Sequence, residues 1–126
     1  MLLAKLKNVE NLAYIRNTKN NYGGETPAGA IYMYYEFLQS KQYPLASTIF
    51  TAETRDEHLS KLKDISEPAM RKFVEVLRLS EKAAAKVDAS GERVEIPRPI
   101  RVVIKKVMGY AGSPVWQIES IDYQLP

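Results

Sequence analysis

The run Asp56-Glu57-His58-Leu59-Ser60-Lys61-Leu62-Lys63, then Asp64-Ile65, then Ser66-Glu67-Pro68-Ala69-Met70-Arg71-Lys72-Phe73-Val74-Glu75-Val76-Leu77-Arg78-Leu79 reads as two helices separated by a tight break. The second helix has a clear start. Ser66 can accept from the free N–H groups of the first turn, Glu67 complements the helix dipole, and Pro68 has no donor to lose there. At ~100° per residue, Met70, Phe73, Val74 and Leu77 share one face, and Arg71, Lys72, Glu75, Arg78 and Lys82 occupy the other. One face packs and the other is free to bind. In the first helix, Asp56 and Glu57 are favourable against the positive end of the dipole, so His58 beside them reads first as part of a solvated opening turn.

Working outward, a helix is expected over 27–41, with Thr26 as cap and Pro27 in the first turn, ending at Tyr43-Pro44. It is apolar around most of its circumference, so it is either enclosed by its own domain or half covered by a second subunit. Ile31, Tyr32, Tyr35 and Leu38 are the residues expected at such an interface. Leu45 to Phe50, with the β-branched Thr48 and Ile49, predicts one brief strand. Residues 80–92 extend the second helix of the pair until Gly91 stops it. Pro97 and Pro99 make the following stretch stiff and extended, a link or an edge segment. Two strand-like runs, 101–108 and 115–123, flank the turn Gly109-Tyr110-Ala111-Gly112-Ser113-Pro114 and predict a hairpin. Val102, Ile104 and Lys106 alternate with Arg101 and Lys105, as in a strand with one buried side. Residues 1–16 fit a helical face or a strand and lean to an extended or hairpin segment; 17–26 is a polar loop.

The pair of helices resembles a helix-turn-helix DNA-binding motif. Leu59 falls at the core anchor of the first helix, Ser60 where a small residue lets the helices approach, Ile65 at the apolar turn position, and Met70 and Phe73 at the core positions of a recognition helix. Two positions depart from the pattern: Asp64 stands where Gly is usual, and Lys63 where an apolar residue is usual. Asp tolerates a left-handed backbone better than most residues. The order of helix, short strand, helix pair and hairpin is similar to that of winged-helix proteins. The resemblance implies a single α+β domain over 1–126: an N-terminal segment 1–26, a helical part 27–86 containing the motif at 56–79, and a hairpin region 93–123. It also implies a recognition helix in the major groove and the loop 109–114 as a wing. Arg71, Lys72 and Arg78 are then the candidate DNA-binding residues of the helix, and Lys105, Lys106 and Tyr110 those of the wing. Arg can present paired donors to a guanine edge, and Lys can neutralise phosphate.

Composition bounds the alternatives. In 126 residues, 45% are hydrophobic and 26% charged, the balance of one folded domain. The net charge of +3 is compatible with a polyanionic partner without requiring one. The absence of cysteine removes thiolate chemistry and disulfides. His58 is the only histidine, Gly23-Gly24 lacks the surroundings of a phosphate loop, and no apolar run approaches the ~20 residues of a membrane span. The expectation is a non-enzymatic protein of the cytoplasm without metal or cofactor. It is expected to bind double-stranded DNA as a homodimer and to regulate transcription; the alternative is a protein-interaction or structural module acting through the aromatic helix. The general character also resembles orphan proteins of archaeal viruses and mobile elements.

Overall fold

The computed structural model describes residues 22–109 and 112–122. The segment 1–16, the wing candidate Tyr110 and the hairpin terminus Tyr123 lie outside the described residues. The chain opens its first helix, α1 (Pro27–Gln39), as its sequence requires: the Thr26 hydroxyl accepts from the Gly29 N–H at 3.0 Å, and Pro27 occupies the first turn. It ends two residues earlier than expected. The Gln42 N–H bonds the Phe37 carbonyl and the Lys41 N–H that of Leu38, which closes the last turn with Lys41 in the left-handed region at φ 60°. A lysine there costs about 1 kcal/mol in backbone strain, and it places the ammonium 3.0 Å from Glu67.

Where a strand was expected over 45–50, the chain instead forms a short helix, α2 (Tyr43–Ser47). Pro44 fits its first turn, and the Ser47 and Thr48 hydroxyls donate to the carbonyls three residues back, of Pro44 and Leu45, at 2.7 and 2.6 Å. These local bonds tie Ser47 and Thr48 to the helical turn, and only Phe50 makes a β-type bridge, to Ile118. A 3-10 turn (Ala52–Thr54) leads into α3 (Arg55–Lys63) and then α4 (Glu67–Ala84), whose Ser66 cap accepts from the Ala69 N–H.

Three strands follow, β1 (Arg93–Ile96), β2 (Val102–Met108) and β3 (Pro114–Ile121), antiparallel in the order β1-β2-β3. β1 is an edge strand that ends at Ile96, and Pro97 and Pro99 lie in the link between it and β2. The fold is α+β: four α-helices and a three-stranded antiparallel sheet among the described residues. A register shift between Val103 and Ile104 breaks the expected alternation, so that Val102, Val103 and Ile104 are all buried. The outer edge of β3 is covered: Gly24 exchanges both backbone bonds with Trp116, and Thr51 and Ile49 bond the backbone of Ile118. Gly24 has to be glycine, because a Cβ there would lie 2.2 Å from the Ala30 nitrogen. In the β2–β3 turn, Gly112 takes φ 82°, which a side chain would strain.

One core joins these layers. Ile31, Tyr34 and Leu38 of α1, Phe73 and Leu77 of α4, and Ile104, Trp116 and Ile118 of the sheet belong to a single buried cluster. Helix α4 packs chiefly on α1. Because Phe73 is fully buried whereas Leu79 is 54% exposed, Phe73→Ala is expected to lower the unfolding free energy by about 3–5 kcal/mol and Leu79→Ala by less than ~0.5 kcal/mol in urea titrations.

Candidate nucleic-acid interface

Helix α4 sorts its side chains as its periodicity dictates. Met70, Phe73, Val74, Leu77 and Ser80 are buried, and Arg71, Lys72, Glu75, Arg78 and Lys82 are exposed. Arg71 and Lys72 make no ion pair or hydrogen bond among the described residues. Arg78 lies over the Tyr35 ring, 5.4 Å from its centroid, so its guanidinium is partly oriented by the protein. The Tyr35 hydroxyl donates to Glu81 at 2.5 Å; burial and that carboxylate push its pKa up to about 12. At the opposite end of the helix, Lys41 pairs with Glu67 and holds its carboxyl below the ordinary range.

These two contacts show that α1 and α4 run antiparallel: Lys41, two residues past α1, meets the first turn of α4, while Tyr35 within α1 meets its last turns. Arg71 and Lys72 thus lie beside the end of α1. The hairpin is anchored at the other end, where Trp116 bridges Gly24 just before α1. The 13 residues of α1 separate the two regions by roughly 20 Å. Lys105 is exposed and registered between Arg93 and Gln117, and Lys106 lies over the Trp116 ring at 5.1 Å. Lys105 and Lys106 therefore do not join Arg71 and Lys72 in one cluster.

Measured against the helix-turn-helix pattern, Leu59, Met70 and Phe73 are buried as the resemblance implies, and Ile65 is half-buried. Ser60 is exposed, so the helices do not approach each other there. Asp64 is right-handed (φ −93°, ψ −4°), not left-handed, so the turn carries no strain that would call for glycine. Of the four residues expected at a subunit interface, Ile31, Tyr35 and Leu38 are inside the chain's own core; α4 and the sheet already cover that side of α1. Only Tyr32, at 47% exposure, remains on the surface.

Beside α4 runs an open trough of about 690 Å³, whose far wall is the end of α1 with Lys41 and Tyr43. Its apolar lining includes Leu79. That residue is two positions past buried Leu77, ~200° around the helix, so an apolar side chain on the charged face was visible in the spacing. The positions of Lys41 and Tyr43 had no such signal, because they reach the trough only through the fold.

His58 is not in a solvated turn: it is 3% exposed. Its ring stacks on Phe50 at a centroid separation of 3.3 Å, and its Nε2 lies 2.5 Å from the Tyr34 hydroxyl. Burial of Tyr34 raises its pKa, so the phenol keeps its proton and donates to a neutral imidazole. Burial first, and the charge of Lys61 second, push the His58 pKa down to about 3. No group of three or more metal-ligating side chains occurs among the described residues. No family model matches the chain, and no characterised protein or solved structure is significantly similar to it.

The His58 environment has a measurable consequence. An unfolded chain protonates this imidazole below pH ~6.5, whereas the folded chain does so only near pH 3. Its contribution to stability is complete above pH 6.5 and declines by up to ~1.4 kcal/mol per unit as the pH falls towards 3. Between pH 7 and pH 5, the wild type is expected to lose about 2 kcal/mol more than His58→Gln in urea unfolding. Equal losses in the two proteins would contradict the assignment.

Proposed function

We propose that the protein binds double-stranded DNA without chemistry or cofactor, laying the outer face of α4 along the major groove, and that it serves as a small regulator. The observation that carries this reading is the pair Arg71 and Lys72, exposed in the first turns of an 18-residue helix whose opposite face is anchored in the core. An Arg there can present two donors to a guanine edge, and a Lys can neutralise a phosphate, without first breaking an internal ion pair. Arg78 lies two turns further along the same side. The hairpin enters this reading only as a distant second contact, because it is attached beyond the other end of α1. Among the described residues no helix is long and apolar enough to cross a membrane.

A second reading, a non-enzymatic interaction module, is favoured by a separate observation, the apolar lining of the trough beside α4.

Binding titrations with duplex DNA at several salt concentrations test the first reading. Arg71→Ala and Lys72→Ala are each expected to lower the magnitude of the salt slope by ~0.9 where the residue contacts phosphate, and Lys105→Ala to leave it unchanged. A wild-type protein with no affinity for any duplex at low salt refutes the reading. Titration at two protein-to-DNA ratios reports whether one copy or two occupy a site.

A further inference from the structure

Among the described residues the sheet has one open edge. The outer side of β3 is taken up by Gly24, Ile49 and Thr51, whereas β1 pairs only with β2. The Lys106 N–H donates to the Glu92 carbonyl at 2.8 Å, which fixes the phase of the ladder. Bonded and non-bonded pairs alternate in an antiparallel sheet, so Val94 and Ile96 turn their backbone groups to Ile104 and Val102, and Arg93 and Glu95 turn theirs outward. Those outward N–H and carbonyl groups have no partner among the described residues. The side chains follow the same alternation: Val94 and Ile96 are buried, and Arg93 and Glu95 are exposed. Arg93 bonds Glu119 through Nε and Nη2, and Glu95 receives Arg101 on Oε1. Nη1 of Arg93 and Oε2 of Glu95 are left to engage something else.

We propose that this edge is where two copies of the chain meet, β1 against β1 about a two-fold axis, so that one sheet runs through both. Backbone phase and charge together select the partner. Outward residues must face outward residues for their bonds to form. In the centred register Arg93 lies opposite Glu95 of the partner subunit, Glu95 opposite the partner's Arg93, and Val94 opposite its own counterpart. Each Arg–Glu position exchanges both backbone bonds and adds an ion pair on the exposed side of the sheet. A register shifted by two residues sets like charge on like charge instead. Protected edges commonly carry lysines, which repel a second copy; opposite charges two positions apart are self-complementary. A longer strand from another protein fits less well, because the next outward position is Pro97, which has no N–H to offer. Since β3 is already covered, two-fold pairing uses the open edge and stops at a dimer rather than a fibre. The inference goes beyond DNA binding and does not rest on it.

The test is sedimentation equilibrium of the full chain over a concentration series reaching roughly 1 mM. The wild type is expected to pass from monomer to dimer. Glu95→Pro removes an outward N–H that the fold itself does not use, a change that edge strands tolerate, and is expected to leave a monomer with the wild-type circular dichroism spectrum. Arg93→Glu sets glutamate against glutamate at both symmetric positions, and Glu95→Arg sets arginine against arginine; each is expected to weaken association by about tenfold. In an equimolar mixture of these two variants, the introduced glutamate of one chain faces the introduced arginine of the other, and native Glu95 faces native Arg93. The mixture is therefore expected to associate about tenfold more tightly than either variant alone. Internal contacts of each chain are the same in the mixture as in isolation, so this comparison decides the matter even where the proline variant fails to fold. A wild type that stays monomeric throughout, a dimer that a folded Glu95→Pro leaves intact, or a mixture no tighter than its components overturns the proposal. A dimer with these properties and no affinity for any duplex leaves this inference standing and removes the DNA reading alone.

Discussion

The hydroxyl of Tyr34 ties the molecule together. It is fully buried on α1, and an unpaired hydroxyl in that position would cost about 1–3 kcal/mol. His58 of α3 supplies the acceptor, and its ring is in turn held flat against Phe50, whose backbone bridges β3. Helix α1, helix α3, the segment after α2 and the sheet therefore meet at one neutral Tyr–His pair. The chain fixes the same region a second time with Arg55, only 5% exposed, which donates to the carbonyls of Phe50 and Thr48 at 2.9 and 3.3 Å. The arrangement requires an uncharged imidazole, which explains why the single histidine of the chain is spent on packing at neutral pH.

With that node in place, α4 can be asymmetric. One side is anchored on α1 through Phe73 and Leu77, and the other side needs nothing from the rest of the protein. Its cations are positioned by a rigid helix whose two ends are pinned, by Lys41 at Glu67 and by Tyr35 at Glu81. A long, pinned, cationic rod suits a polyanion.

Much of this was legible before any coordinates. The caps Thr26 and Ser66, each followed within two residues by proline, marked both long helices, and the period of Met70, Phe73, Val74 and Leu77 identified the buried side of α4. The hairpin was visible from its β-branched residues and glycine-bearing turn. The segment 45–50 was misread because Thr48 and Ile49 favour strands in general, whereas the hydroxyls of Ser47 and Thr48 here bond back to the local turn. Asp64 was expected to replace a left-handed glycine, yet the turn between α3 and α4 never enters that region. Among the described residues the left-handed non-glycine residue is Lys41, just past the end of α1.

By itself, the sequence determined where the two long helices begin and which side of α4 avoids water, because capping and amphipathic spacing act within a few residues. Only the tertiary structure decided which apolar side chains of α1 are interior and which surface residues are neighbours. It showed Ile31, Tyr35 and Leu38 covered by the chain's own α4 and sheet, set Lys105 and Lys106 about a helix length away from Arg71 and Lys72, and assembled the trough. Those outcomes depend on contacts between residues far apart along the chain, and no local propensity records which distant surface will cover an apolar face.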